Sequence, residues 1–183
     1  MSDVSRMALL RGGFKTPAPP PVRPPWALRD AAAFRDACDG CGDCVPACEP
    51  GLIMLAADGL PVVSFAEAGC DFCGACAAAC AKGALKRDDD APAWDHVARI
   101  NASCLSYQGV ECRMCGDHCP TSAIAFQPMG RGRWLPVVRE ADCSGCGACV
   151  APCPARAIAL AANALAGAAV KTPSSVERDK ACA

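Results

Sequence analysis

The stretch Cys143-Ser144-Gly145-Cys146-Gly147-Ala148-Cys149-Val150-Ala151-Pro152-Cys153-Pro154 decides how the chain reads. Its spacing is C-x-x-C-x-x-C-x-x-x-C-P. The same cysteine spacing, without the final proline, returns at Cys38, Cys41, Cys44 and Cys48, and again at Cys70, Cys73, Cys76 and Cys80. With a wider first gap it also returns at Cys104, Cys112, Cys115 and Cys119. These four groups take up 16 of the 17 cysteines. Thiolates two residues apart on one loop can wrap the corners of an iron–sulfur cube, and no single ion needs such crowding. Structural zinc usually takes four ligands as two separated pairs, so the triple spacing favours four [4Fe–4S] clusters over four zinc ions.

Composition supports a metal-dependent fold. Hydrophobic residues make up 52% of the 183, but aromatics only 5%, because much of the apolar content is Ala and Cys. Units of about 60 residues are marginal on burial alone. Bound clusters supply the missing cohesion, since whatever binds only the folded form adds to its stability. A net charge of −1 and a pI near 6.1 argue against a nucleic-acid surface.

Tight C-x-x-C loops and an odd cysteine total point to a reducing compartment rather than a disulfide scaffold. The apolar patch Met7 to Leu10 is closed at once by Arg11, too short for a secretory signal. No stretch approaches the ~20 apolar residues of a membrane span. The reading expects a cytoplasmic protein.

In chain order, residues 1–29 read as a proline-rich arm, with Pro17, Pro19, Pro20, Pro21, Pro24 and Pro25 favouring extended geometry. Ala27 to Ala37 reads as a helix with Phe34 inward. After the first cysteine group, Leu52 to Leu55 and Pro61 to Phe65 read as strands around an Asp58-Gly59 turn. The second half repeats the plan: Ile124 to Phe126, a turn near Gly130 and Gly132, then Leu135-Pro136-Val137-Val138, matching Leu60-Pro61-Val62-Val63. First cysteines of paired groups lie 32 apart (70 − 38) and 39 apart (143 − 104), and the wider gap after Cys104 accounts for five of the difference. The expected fold is α+β: two tandem bacterial 2[4Fe–4S] ferredoxin-like units, at 30–85 and 101–160, with short strands and helices around the clusters. Residues 86–100 read as a linker that Trp94 anchors, and 161–183 as a flexible tail carrying the lone Cys182.

In two-cluster ferredoxins the fourth cysteine of a group serves the other cluster. The expected ligand sets are therefore crossed. They are Cys38, Cys41, Cys44 with Cys80; Cys70, Cys73, Cys76 with Cys48; Cys104, Cys112, Cys115 with Cys153; and Cys143, Cys146, Cys149 with Cys119. The fourth cysteine is expected to start a helical turn that carries its thiolate away from its own loop. The wide Leu105–Glu111 gap leads to the expectation that the Cys104 site is the most exposed and labile. His96 and His118 read as non-ligands. There is no glycine-rich phosphate loop, paired-carboxylate site or Ser/His/Asp pattern, so the chain reads as an accessory protein or electron carrier, not an enzyme.

Several stretches resemble the NapF family, ferredoxin-type accessory proteins of periplasmic nitrate reductase systems. They are Arg23-Pro24-Pro25-Trp26, Ala93-Trp94-Asp95, and above all the widened group from Cys104-Leu105-Ser106-Tyr107 to Cys112-Arg113-Met114-Cys115. The resemblance implies a cytoplasmic protein with four [4Fe–4S] clusters. It also implies a partner, the catalytic subunit of the nitrate reductase before export, whose cluster assembly the family is thought to assist. The alternative is plain electron transfer in a nitrate-linked chain.

Removing iron with a chelator under anaerobic conditions should abolish most ordered structure. Circular dichroism checks this; an unchanged, cooperative melt would contradict it.

Overall fold

The computed structural model describes residues 21–88, 90–130 and 132–162. The described elements are α1 (Ala31–Ala37), β1 (Ile53–Leu55), β2 (Pro61–Val63), α2 (Ala75–Ala78), β3 (His96–Ile100), α3 (Met114–Asp117), β4 (Ile124–Pro128), β5 (Trp134–Val138) and β6 (Ile158–Ala162). They form three two-stranded antiparallel sheets: β1–β2, β4–β5 and β3–β6. Helices and strands are short because the cysteine loops between them consume most of the chain.

The two hairpins are built alike. In β1–β2, Ile53 faces Val63 and Leu55 faces Pro61. In β4–β5, Ile124 faces Val138 and Phe126 faces Pro136. Pro61 and Pro136 hold equivalent places, and each sits in a two-stranded sheet where a missing N–H is tolerated. The internal repeat read from Leu60–Val63 and Leu135–Val138 is thus a repeat of register.

Each half also closes its beginning on its end. In the second half this is a full strand pair, β3 on β6, running from His96↔Ala162 to Ile100↔Ile158. In the first half the same closure shrinks to one bridge, Ala27↔Leu85. Leu28 N–H donates to Ala84 C=O (3.0 Å) and Lys86 N–H to Trp26 C=O (2.9 Å).

These closures revise four boundaries. The stretch 86–100 is not all linker, since its last five residues are β3. The arm 1–29 is packed from its end backward: Val22 C=O accepts from Val63 N–H (2.8 Å), Pro24 is fully buried, and Trp26 N–H donates to Ala93 C=O (2.6 Å). The helix starts at Ala31 rather than Ala27. Trp26 has a positive φ of 59°, the bridge occupies residues 27–28, and the Asp30 side chain caps the helix by accepting from Ala33 N–H (2.7 Å). Residues 161–162 end β6, while Pro17, Pro19, Pro20, Cys182 and the rest of the tail lie outside the described residues.

The main core gathers Trp26, Phe34, Leu52, Ile53, Phe65, Phe72, Leu85 and Trp94. Phe34 points inward as expected, 2% exposed. A second core contains Ala98, Cys115, Ile124, Cys149 and Ile158, and no large aromatic ring is fully inside it. The main core does not stop at the first half, because Cys146 is buried in it and Ala148 and Val150 pack against it. Trp94 makes the join. Its ring meets Phe65 (5.7 Å) and Phe72 (5.9 Å) edge-on, and its indole N–H donates to Ser144 C=O (3.1 Å).

Truncating Trp94 to Ala should cost the holoprotein ~3–5 kcal/mol of stability. Trp94→Phe should cost only about 1 kcal/mol, for the lost indole donor. Thermal denaturation under anaerobic conditions measures both.

Candidate cluster-binding sites

One local device recurs at each cysteine group. A helical turn runs from the third cysteine to the fourth, with Cys48, Cys80, Cys119 and Cys153 each donating their N–H to the carbonyl three residues earlier. The turn therefore ends on the fourth cysteine; the expectation that it would start there is corrected. Three residues further on the backbone enters the left-handed region, at Gly51 (φ 69°), Gly83 (φ 71°), Ser122 (φ 52°) and Arg156 (φ 48°). The N–H of each of these residues donates back to the carbonyl of the fourth cysteine, at 2.9, 3.2, 3.0 and 3.1 Å respectively.

This hook aims backbone donors at sulfur. Leu85 N–H lies 3.4 Å from Cys80 Sγ, Ala123 N–H 3.2 Å from Cys119 Sγ, and Ala157 N–H 3.3 Å from Cys153 Sγ. On the loops, Phe72 N–H approaches Cys70 Sγ (3.4 Å) and Ala98 N–H approaches Cys143 Sγ (3.5 Å). Such donors would hydrogen-bond the cysteine sulfurs of a bound cluster.

The fold brings distant cysteines together. Cys38, Cys41, Cys44 and Cys80 ring a void of about 350 Å³, counting its open mouth. Cys48, Cys70, Cys73 and Cys76 ring another of about 360 Å³, walled by Trp26, Leu52, Ile53 and Trp94. Cys104, Cys112, Cys115 and Cys153 ring a third of about 330 Å³, walled by Ile100, Leu105 and Ile158. Cys119 and Cys143 lie close enough to Cys146 and Cys149 to help raise the thiols of those two, behind the larger effect of burial. In each quartet three thiols come from one loop and one from the other end of the same half.

Burial sets the electrostatics. It pushes the Cys70, Cys76 and Cys149 thiols up to about 12, and that of Cys115 to about 11. Burial also raises Cys44, and the neighbouring Cys38, Cys41 and Cys80 add to it. Four crowded thiols under apolar walls resist ionising together unless positive charge lies between them. Iron bound among them would supply that charge and displace the protons. Among the described residues, no group of three or more Cys, His, Asp or Glu converges as closely as a single ion demands.

The third group departs from expectation. Cys104 and Cys112 are half-buried; the exposed thiols are Cys41 and Cys73, in the first half. The wide loop folds back on itself and on β5. Buried Ser106 donates from Oγ to Cys112 C=O (3.0 Å), and Val110 N–H donates to Leu105 C=O (2.9 Å). Tyr107 OH reaches Pro136 C=O at 3.4 Å. Beside this loop the Arg113 guanidinium lies over Phe126 (5.2 Å) and Trp134 (5.3 Å). Trp134, Tyr107, Val110 and Met114 remain exposed there. Neither histidine joins a quartet: His118 Nδ1 pairs with Met114 C=O (2.9 Å), and His96 packs against Trp94, its pKa lowered by burial.

Reading the sequence by itself missed the contacts between the halves. Cys70 N–H donates to Cys146 C=O at 2.7 Å. A Cβ on Gly69 would lie 2.7 Å from the Ala148 backbone, and one on Gly147 would run into the Phe65 ring. The signal available was the pair of tryptophans flanking the first cysteine region, Trp26 and Trp94.

Short hairpins, half-closing strands and cysteine quartets fed from both ends of each half define a ferredoxin-type iron–sulfur protein. The family described as 4Fe-4S dicluster domain matches residues 37–105 and 110–157, breaking inside the wide Cys104–Cys112 gap. The chain is 41% identical over 156 residues to the ferredoxin-type protein NapF of Escherichia coli strain K12, spanning 85% of this chain and 93% of that protein. It is 42% identical over 139 residues to the ferredoxin-type protein NapF of Haemophilus influenzae, spanning 76% and 78%. The ferredoxin-type protein NapG of Haemophilus influenzae is 34% identical over 157 residues, spanning 73% of this chain and 55% of that protein. The chain belongs to the NapF family of ferredoxin-type proteins. Among the described residues, no helix is long and apolar enough to cross a membrane.

Proposed function

We propose that the chain carries four [4Fe–4S] clusters, two in each of two tandem ferredoxin-like units. In the cytoplasm it assists cluster assembly in the catalytic subunit of periplasmic nitrate reductase before that subunit is exported. The observation that carries this reading is the set of four cysteine quartets, the third with a widened first gap, in a chain covering nearly the whole length of a NapF relative. The exposed side chains of Tyr107, Val110, Met114 and Trp134, beside that widened group, support a contact with a client chain.

The ligand assignment is crossed: Cys38, Cys41, Cys44 and Cys80; Cys48, Cys70, Cys73 and Cys76; Cys104, Cys112, Cys115 and Cys153; Cys119, Cys143, Cys146 and Cys149. Three voids lined by the first three quartets support it, as does the closeness of Cys119, Cys143 and Cys146 to Cys149 in the fourth. Cys153→Ser should then damage the site of Cys104, Cys112 and Cys115 and spare that of Cys143, Cys146 and Cys149. Cysteine alkylation mapped by mass spectrometry after anaerobic isolation distinguishes the two sites. Labelling at Cys146 and Cys149 with Cys104 and Cys112 protected would reverse the assignment.

A second reading is electron carriage between redox partners. The hydrogen bond from Cys70 to Cys146 favours it, because it joins loops of two different quartets. Anaerobic co-purification decides between the readings. A maturation factor should capture the unexported precursor and leave the exported enzyme behind, and the client's iron content should fall in its absence. Normal client iron together with reduced nitrate-linked electron flow would favour the carrier.

A further inference from the structure

The junction between the halves is built from cysteine loops. Cys70, which donates its N–H to Cys146 C=O at 2.7 Å, belongs to the second quartet, and Cys146 to the fourth. Phe72 lies between Cys70 and Cys73, and Ser144 between Cys143 and Cys146. Trp94 touches both, with its ring edge-on to Phe72 (5.9 Å) and its indole N–H on Ser144 C=O (3.1 Å). At Gly69 a side chain would strike the Ala148 backbone, and at Gly147 it would strike the Phe65 ring, so the two halves meet without room for either. A hinged pair of units would not need such contact.

Within each half the quartets are also neighbours. The short turns Cys44–Cys48 and Cys76–Cys80 each begin in one quartet and end in the other, as do Cys115–Cys119 and Cys149–Cys153. These connections arrange the quartets in a chain of nearest neighbours. The quartet of Cys38 stands at one end and that of Cys104 at the other.

We infer that the Cys70–Cys146 contact couples the two inner quartets, so that the four sites form one row across both halves rather than two independent pairs. The inference rests on the cluster loading proposed above. Coupling means that clusters held at the two inner sites would lie near enough to exchange a single electron and, when each has been reduced by one electron, to split each other's spin signals. A one-electron donor outside the chain supplies that electron, and dithionite serves in the test. The residues that hold the coupling are Cys70, Cys146, Trp94 and Gly147.

The test isolates the inner pair. Replacing Cys38, Cys41, Cys104 and Cys112 with Ser leaves the inner quartets intact, and such a chain should hold about eight iron atoms, against about sixteen in the native chain. After dithionite reduction its low-temperature EPR spectrum should show spin–spin splitting. Adding Gly69→Ala, whose methyl would lie 2.7 Å from the Ala148 backbone and outside the ligand loops, should weaken the splitting with the iron retained. About eight iron atoms with two superposed, unsplit spectra would overturn the inference and leave the loading intact. Iron far below sixteen in the native chain would overturn the loading and the inference with it. Should the four-serine chain fail to load, native and Gly69→Ala proteins of equal iron content are compared directly. Weaker spin–spin broadening in the variant supports the row, and equal broadening overturns it.

Discussion

Sulfur stands where most small domains keep large apolar side chains. Cys44, Cys76, Cys115, Cys146 and Cys149 are buried among the core residues, and the second half has no fully buried aromatic ring to share the task. Thiols pressed together under apolar walls are poor company without metal: burial opposes their ionisation, and the neutral groups leave voids between them. The rest of the architecture follows from that constraint. Chain ends must return to chain beginnings, because each quartet takes one thiol from the far end of its half. The closures Ala27↔Leu85 and β3–β6 hold those ends in place.

The hook after each fourth cysteine shows how much local geometry the constraint demands. In the first half the left-handed position is filled by Gly51 and Gly83, which adopt it at no steric cost. In the second half Ser122 and Arg156 occupy the same position and accept the strain, since an L side chain disfavours positive φ. Compensation comes from the backbone bonds that each hook makes, to the cysteine carbonyl and onward to its sulfur. The first half spends glycine where the second spends backbone strain.

The cysteine pattern announced the class of protein, the repeat and the hairpins, because ligand spacing and strand–turn–strand signals are local. Phe34 was legible for the same reason. What stayed hidden depends on contacts far apart in the chain. Strand β3 has a partner that begins 58 residues later (158 − 100), and its counterpart in the first half is only a bridge, so the internal repeat offered no template for it. Cys104 looked exposed because its loop is long. Ser106 and Tyr107 fold that loop onto Cys112 and β5, bonds that spacing alone does not announce. The junction was silent because glycine marks many things, and only the neighbours of Gly69 and Gly147 reveal a close approach.

A core shared between halves has a consequence for how the protein is made. Phe65, Phe72 and Trp94 leave the ribosome well before Cys146, which completes their packing. The delay is 52 residues from Trp94 (146 − 94), or ~3–10 s at ~5–20 residues per second. During that interval the first half has its own eight cysteines but lacks one wall of its core. The nascent first half therefore lacks the cover that Cys146 and Ala148 give beside Cys70 until the second half arrives.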